Sequence, residues 1–409
     1  MAAKRTIWAG LDLGSATTKM VVVESLDGEP RIIAASESLT RGVERGVITD
    51  FAKASASIGR TVEDAEIMAG FTLKEICLGT AADYSRGINR RGMACVDGGT
   101  VRPQHLVTTR RVAVAIPYAA NERLLAAIPQ SYSVDQNGTV PHPLGLRARR
   151  VDGVYHLVTS NVRSLETLLR CCERSELKIL DLHLNHAAAA EAVLAREEKQ
   201  LGVCLADIGH GTVNVAVYTK GALVHTAVIR LGGGDLNQEI ARELRITLEE
   251  AERIKVKYGC VHASLLKDGE SFEALRLGGG PPVVLQRAEL FSLLEPKAAE
   301  IVSCIRREME RVGPLSDLIS GLVLTGGGAS LAGLPELAAE ICERLPVRVG
   351  EPRGLGGFHS AVRRPGFAAA AGVALLAAHG GIGPRSGARL GLVGRTLQRF
   401  RKLTGEVGP

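Results

Sequence analysis

The sequence has few aromatic side chains, 3% of its residues, and no run of eighteen apolar residues. A helix that crosses a bilayer needs about twenty consecutive apolar residues, so no membrane span is expected. Residues 1–15 pass directly into a predicted strand without the pattern of a secretory signal, which predicts a cytoplasmic protein. The net charge is +6, but the shortage of aromatic rings argues against a basic surface that stacks bases, so no nucleic-acid partner is expected.

The cysteines lack the spacing of metal-binding sites. None of the eight belongs to a CxxC pair, and most lie within apolar stretches, which predicts reduced, buried thiols. The chain has 409 residues, of which 45% are hydrophobic, and this is enough for about two to three domains with large cores. The composition therefore predicts a folded globular protein.

Two segments of the chain repeat one pattern. GLDLGSATTKMVVVESLDGEPRIIAASE (10–37) and LADIGHGTVNVAVYTKGALVHTAVIR (205–230) each have an aspartate, a glycine turn and a threonine, followed by apolar strands. The matched pairs are Asp12 with Asp207, Gly14 with Gly209, and Thr17 with Thr212. The repeat predicts two similar lobes that each open with a β-hairpin.

The repeated turn has the composition of a phosphate-binding loop. Glycines let successive backbone N–H groups approach an anion, and Ser or Thr hydroxyls add donors. Two such turns across a cleft could hold a polyphosphate, with Asp12 and Asp207 beside a hydrated Mg²⁺ ion and Lys19 as a neutralising cation. One such turn alone is more often an ordinary tight turn, and the duplication is what favours phosphate binding.

Two further segments could complete a nucleotide site. Gly326, Gly327 and Gly328 stand between a predicted strand and a helix, where bare backbone can lie against a base or ribose. The alternative is a loop that needs glycine only for its backbone angles. In the predicted helix 246–259, Glu249 and Glu252 share a face, which indicates either a solvated surface or carboxylates that reach a ribose.

The order of these motifs resembles the actin, Hsp70 and sugar-kinase superfamily. Within it, the chain is similar to the FtsA family of bacterial cell-division actin homologues, over about residues 7–380 and a short tail. The more specific stretches are 128–159, 168–184 and 225–259. The resemblance implies an α/β, two-lobed actin/Hsp70-like ATPase fold with duplicated RNase H-like lobes, and the cofactors ATP and Mg²⁺. The nucleotide-binding residues it implies are Asp12, Gly14, Ser15, Thr17, Lys19, Asp207, Gly209, His210, Gly211, Thr212, Gly233, Glu249, Glu252, Gly326, Gly327, Gly328 and Ala329.

The resemblance also implies a division into subdomains. Subdomain 1A is expected at 6–83, 164–200 and 361–380, the inserted subdomain 1C at 84–163, subdomain 2A at 201–234 and 312–360, subdomain 2B at 235–311, and a linker with a membrane-targeting helix at 381–409. Within 1C, residues 107–116 and 121–129 are predicted to form a helix and its continuation, and residues 132–160 to form short strands.

Two motifs depart from the family pattern. Where relatives carry DIGGGTTD, this chain has DIGHGTVN, so His210 replaces a glycine and Asn214 a carboxylate. Where relatives often have a glutamate at the start of a helix, this chain has Asn185 and His186. Neither amide is a general base, so we expect ATP binding with at most weak hydrolysis. His210 could donate to a phosphate or crowd it, and the sequence leaves both open.

The resemblance further implies partners and a location. A family member polymerises at the cytoplasmic face of the plasma membrane and tethers filaments of the division tubulin FtsZ to the septum. The acidic C-terminal peptide of FtsZ is expected on 2B, and later division proteins on 1C. Candidate contacts for that peptide are Lys297, Arg306 and Arg307, each equally consistent with a solvated helix face.

The C-terminal tail has the pattern of an amphipathic helix that lies on anionic lipid. The residues expected at the membrane are Leu392, Val393, Arg395, Leu397, Arg399, Phe400, Arg401, Lys402 and Leu403.

Two other functions stay open. One is a PilM-like pilus-assembly scaffold, expected to lack the 1C arrangement and the basic tail. The other is a small-molecule kinase of the same superfamily, which would need a catalytic aspartate in a substrate cleft.

Overall fold

A computed structural model describes residues 6–26, 29–80, 86–278, 281–357 and 359–380. The predicted linker and membrane-targeting helix, 381–409, lie outside these residues. Among the helices described, none combines the length and the apolar character that crossing a bilayer requires.

Lobe 1 is built on a six-stranded sheet. Its strands, in spatial order, are β10 (Lys178–Leu184), β6 (Glu75–Thr80), β1 (Thr6–Leu13), β2 (Thr17–Leu26), β3 (Glu29–Leu39) and β18 (Gly356–Gly357). Its helices are α1 (Phe51–Ala69), α3 (Val162–Arg174), α4 (Asn185–Val193), α5 (Arg196–Leu201), α10 (His359–Val362) and α11 (Ala368–His379). A short hairpin, β4 (Val43–Glu44) and β5 (Val47–Ile48), precedes α1. The consecutive residues Met20, Val21, Val22 and Val23 are fully buried, because helices cover both faces of the sheet.

Lobe 2 repeats this plan on a five-stranded sheet. Its strands, in spatial order, are β13 (Ala222–Ile229), β12 (Val213–Thr219), β11 (Val203–Ile208), β16 (Leu322–Thr325) and β17 (Val347–Val349). Its helices are α6 (Gly233–Leu244), α7 (Leu248–Tyr258), α8 (Arg287–Glu310) and α9 (Leu334–Ile341), and a small hairpin is formed by β14 (Ser271–Ala274) and β15 (Val283–Gln286).

The strand registers show that the two lobes are equivalent. In the first hairpin Asp12 lies opposite Lys19, and in the second Asp207 lies opposite Asn214. Each aspartate also has a parallel neighbour on its other side, in β6 and β16 respectively. The predicted two-lobed α/β fold is confirmed.

The apolar cores of the lobes are joined through α4. Leu205 and Ala216, on the sheet of lobe 2, are fully buried in the same cluster as Ala187 and Ala190 of α4. A helix with an alanine-rich surface lets a neighbouring sheet pack closely against it. This shared contact brings the ends of β1 and β11 to the same region between the lobes.

An inserted unit carries the third sheet, which consists of β7 (Arg86–Cys95), β9 (Arg150–Asn161) and β8 (Glu122–Val134), with α2 (Pro103–Val114) packed on it. The prediction that residues 121–129 continue the helix is wrong, because α2 ends at Val114 and these residues enter β8. Leu125 and Ala127 are buried while their neighbours are only partly so, the alternation of a strand with one face more covered than the other. The subdomain boundaries stay predictions.

Candidate nucleotide-binding cleft

A cavity of about 560 Å³ lies between the lobes, where β1 and β11 end. Fifteen residues predicted from the sequence as nucleotide contacts line it: Asp12, Gly14, Ser15, Thr17, Lys19, Asp207, Gly209, His210, Gly211, Thr212, Gly233, Glu252, Gly326, Gly327 and Gly328. The structure thus brings together turns that are about 200 and 120 residues apart in the sequence.

Two predicted contacts do not reach the cavity. Helix α7 begins at Leu248, so Glu249 lies in its first turn on the exposed side, while Glu252 faces inward. Ala329 is buried in the apolar core of lobe 2, while Gly328 before it and Ser330 after it line the cavity. Glu249 and Ala329 thus lie apart from the other predicted contacts, and their roles stay predictions.

The two phosphate turns have the same internal hydrogen bond. Gly14 N donates to Thr17 O at 3.2 Å, and Gly209 N donates to Thr212 O at 2.9 Å. The Gly209 N–H group is therefore used within the turn itself. In the described chain, the N–H groups of the next two residues, His210 and Gly211, have no such backbone acceptor and remain available to an anion.

Two buried carboxylates stand beside these turns. Asp12 Oδ1 accepts a hydrogen bond from Asn185 Nδ2 at 2.7 Å. Burial raises the pKa of Asp12, against the opposing effects of Lys19 and Asn185. Burial and the nearby charge of Asp12 raise the pKa of Asp207 to about 7. A Cβ atom at Gly326, whose φ is +83°, would come within 2.3 Å of Asp207 Oδ1, so only glycine fits there.

The oxygen atoms around these carboxylates fit a hydrated cation. The Oδ1 atoms of Asn185 and Asn214 are buried and have no hydrogen-bond partner within the part of the chain described. Both residues line the cavity with Asp12 and Asp207. Carboxylate and amide oxygens are suitable partners for Mg²⁺ and its water molecules.

Lys19 is held on the lobe 1 side of the cavity. Its Nζ donates to Thr17 Oγ1 at 2.5 Å, lies 3.4 Å from Glu37 Oε1 and is 5.9 Å from the centre of the Phe367 ring. Arg364 pairs with Glu37 at 2.9 Å. A cation in this position can meet a phosphate group in the cavity, because Glu37 only partly neutralises the two basic groups.

A second polar cluster lies on α7. Lys255 Nζ donates to Glu252 Oε2 at 2.8 Å and to Gly233 O at 3.0 Å, and Asn237 donates to the same carboxylate. Burial raises the pKa of Glu252, but Lys255 and Asn237 lower it more. Sequence reasoning missed Lys255, although its spacing of one helical turn from Glu252 was a usable signal.

His210 stands between the second turn and α6. Its backbone oxygen accepts from Gly234 N at 2.7 Å, and a Cβ at Gly234 would come within 2.7 Å of His210 Nε2. Burial and Lys255 lower the pKa of His210, which favours the neutral ring. His186, by contrast, is buried in α4 and does not line the cavity.

The three basic residues proposed for the FtsZ peptide all lie on α8 but do not form one surface. Lys297 pairs with Glu300 at 2.7 Å, and Arg306 donates to Ile341 O at 2.6 Å. These two are nine residues apart, which places them on opposite sides of the helix. Arg307 is exposed.

In each lobe a buried aspartate at the end of a strand is followed by a glycine turn, and the two turns meet at one cleft. This duplicated arrangement defines an actin-like protein. Comparisons with known proteins then give the family. The family model described as "Cell division protein FtsA" matches residues 204–372, and the model "SHS2 domain inserted in FTSA" matches residues 83–159. The cell division protein FtsA of Pseudomonas aeruginosa is 34% identical over 366 residues, covering 89% of this chain and 87% of that protein. The chain belongs to the FtsA family of cell division proteins, as the sequence motifs predicted.

Solved structures show the same fold. A chain of the PilM–PilN type IV pilus biogenesis complex has a TM-score of 0.65 and 19% identity, covering 90% of this chain and 97% of its own. An MreB protein of Spiroplasma citri bound to AMPPNP has a TM-score of 0.52 and 14% identity, covering 89% of this chain and 94% of its own. At these identities the two likenesses show the fold alone, and the expectation that a pilus-assembly scaffold lacks the 1C arrangement stays a prediction.

Proposed function

We propose that this FtsA-family protein binds Mg·ATP in the cleft, polymerises and tethers FtsZ filaments to the cytoplasmic face of the membrane at the septum. The observation that supports nucleotide binding best is that Asp12 and Asp207 end equivalent strands of the two lobes and face one cavity. Two buried carboxylates that face one cavity are costly unless a cation compensates their charge.

Each part of the cavity has a role in this proposal. Asp12 and Asp207 hold Mg²⁺ through its water molecules, and bound Mg²⁺ neutralises phosphate charge. The N–H groups of His210 and Gly211 donate to phosphate oxygens. On the other wall, Glu252 accepts hydrogen bonds from the ribose.

Hydrolysis is expected to be weak. An attacking water has to be positioned in line with the γ-phosphate, and the two amides near the aspartates, Asn185 and Asn214, cannot take its proton. Asn185 already donates to Asp12. The proposed protein is therefore a nucleotide-dependent scaffold with slow turnover, rather than a kinase.

Calorimetric titration with ATP and Mg²⁺ tests the nucleotide site. We expect saturable binding that is much weaker in Asp207→Ala and unchanged in Asp268→Ala, which removes an exposed aspartate of lobe 2. Absence of binding to the unmodified protein would refute the proposal. A turnover rate in the usual enzyme range of about 1 to 1,000 per second would refute weak hydrolysis.

Electron microscopy on an anionic lipid monolayer tests assembly. With ATP, the full chain should form filaments on the monolayer, whereas Asp207→Ala should not. A soluble kinase would form none, and an ATP-independent carpet of protein would contradict nucleotide-controlled assembly.

A further inference from the structure

We infer that Arg45 is a positioning residue that ties the two lobes together across the nucleotide cleft and slows the release of bound nucleotide. This inference rests on the proposed binding of Mg·ATP. It concerns a residue that lies outside all the motifs identified in the sequence, at the tip of the β4–β5 hairpin of lobe 1.

The hairpin tip has a constrained backbone. Arg45 has a φ of +47° and Gly46 a φ of +78°, the combination required by a two-residue turn between short antiparallel strands. The left-handed region is unfavourable for an arginine. The position keeps it because the side chain and the neighbouring N–H both make contacts at the cleft.

On the lobe 1 side, the tip orients a phosphate-turn hydroxyl. Gly46 N donates to Ser15 Oγ at 2.9 Å. A serine hydroxyl has one proton to donate, and because its oxygen already accepts from Gly46, that proton remains available for an acceptor in the cavity. Ser15 lines the cavity, so the hairpin prepares it to donate to a phosphate oxygen.

On the lobe 2 side, the tip touches the second phosphate turn. A Cβ added at Gly211 would come within 2.7 Å of Arg45 Cα and 3.0 Å of Ser15 Oγ. The two phosphate turns and the hairpin tip therefore meet at one point. Any separation of the lobes has to pull Gly211 away from Arg45.

The guanidinium group completes the link. Its Nη2 lies 2.6 Å from Asp235 Oδ1, and its Nη1 donates to Arg230 O at 2.9 Å. The other carboxylate oxygen of Asp235 accepts from Gly232 N at 2.8 Å, at the start of α6. The Asp235 side chain is 9% exposed and that of Arg45 is 41% exposed. Opening the cleft would take the guanidinium group away from this largely buried carboxylate, which is unfavourable.

These contacts predict a coupling between lobe closure and nucleotide retention. When the cleft is closed, Arg45 holds Gly46 against Ser15 and holds α6 against the second turn. Nucleotide can leave only after this link opens. Breaking the link should therefore speed dissociation more than it changes association.

The test is a double-mutant cycle on nucleotide release. The variants are Arg45→Ala, Asp235→Asn and the double mutant, and Asn at position 235 keeps an acceptor for Gly232 N. Lys178→Ala breaks the exposed Lys178–Glu75 pair of lobe 1 and is the control. The full chain is loaded with a fluorescent ATP analogue and Mg²⁺, and release is followed by stopped flow after an excess of unlabelled ATP is added.

We expect each single variant to release the analogue about five- to tenfold faster, the range for loss of one partly buried ion pair. The double mutant should be no faster than the singles, and Lys178→Ala should match the unmodified protein. Arg45→Lys, which keeps the charge but loses the second contact, should fall between. Unchanged release in both single variants, or additive effects in the double mutant, would overturn the inference.

Failure of the proposed function gives a different result. If the unmodified protein does not bind the analogue at all, the nucleotide proposal fails and this inference falls with it. If the unmodified protein binds the analogue normally but the cycle shows no coupling, only the role of Arg45 fails. Circular dichroism of each variant shows whether it has folded, and Arg45→Lys is the variant least able to disturb the hairpin.

Discussion

Asn185 donates a hydrogen bond from Nδ2 to Asp12 Oδ1 over 2.7 Å, at the cavity between the lobes. The amide supports the ionised form of Asp12, which burial disfavours. We expect Asn185→Ala to lower the free energy of unfolding by about 1–3 kcal/mol at pH 8, the cost of losing a hydrogen bond to a charged group. Urea unfolding measures this loss.

Asn214→Ala is the matched control for that experiment. Both amides are buried at the cavity. Unlike Asn185, Asn214 makes no side-chain hydrogen bond to the described residues, and its Oδ1 atom has no partner among them. An equal loss of stability in the two variants would mean that the bond to Asp12 is not what matters.

Nucleotide binding should depend on the ionisation of Asp207. Its pKa is raised to about 7 by burial and by Asp12, and the protonated form cannot attract hydrated Mg²⁺. As the pH rises from 6 to 8 the carboxylate ionises, so the affinity for Mg·ATP should increase by about tenfold beyond any change seen in Asp207→Asn. Calorimetry at both pH values measures this. Parallel pH profiles for the two proteins would contradict it.

The junction between the insert and lobe 2 should weaken in acid. His156 is buried, with Nδ1 2.7 Å from Asn89 Oδ1 and Nε2 2.9 Å from Thr226 Oγ1, and burial lowers its pKa to about 3. Below pH 6.5 the unfolded chain binds a proton that the folded chain excludes, so stability falls as the pH falls. Between pH 7.5 and 5 this histidine should account for about 2 kcal/mol of that loss.

His156→Asn should therefore show a shallower decline in unfolding free energy than the unmodified protein over this pH range. The control is His142→Asn, since His142 is exposed. If His142→Asn flattened the profile as much as His156→Asn, the buried ring would not be the cause.

The acidic C-terminal peptide of FtsZ should bind more weakly to a double variant with Lys297→Glu and Arg307→Glu. Both changes reverse charges outside the α8–α9 contact that holds Arg306. A loss of about fivefold is expected, because exposed charges contribute modestly and are screened by salt. Fluorescence anisotropy at two salt concentrations measures it, and unchanged affinity would move the peptide site elsewhere.

Attachment to lipid is predicted to depend on the tail. Removal of residues 389–409 should abolish sedimentation with anionic vesicles and leave ATP binding intact, because basic and apolar residues of an interfacial helix act together. Phe400→Glu should have nearly the same effect. A truncated protein that still sediments with these vesicles would show that the anchor lies elsewhere.

Features that depend on residues close together in the sequence can be predicted from it, whereas features that depend on contacts between distant residues cannot. The duplicated Asp-Gly-Thr pattern predicts both hairpins and both aspartates, because each turn is specified by residues within about six positions. The segment LLAAI (124–128) fits a helix or a strand locally, and only its pairing with β9 decides. The same limit applies to Arg45, whose partner Asp235 is 190 residues away.

The side of a helix that faces a cavity is a second feature that the sequence alone does not predict. Glu249 and Glu252 have the same spacing relationship in any helix, but which of them faces the cleft depends on where α7 starts and how it packs. Packing of Ala251 and Ile254 in the core turns Glu252 toward the cavity, and this orientation is a tertiary effect.

The insert also affects an edge of lobe 2. Strand β13 is the outermost strand of its sheet, and two of its carbonyl groups accept hydrogen bonds from side chains of the insert: Asn89 donates to Val224 O at 2.9 Å, and Gln130 to Leu223 O at 3.1 Å. An uncovered edge strand can pair with a strand of another molecule. The insert therefore shields this protein from edge-to-edge aggregation, a protection that matters most when many copies are concentrated in one place.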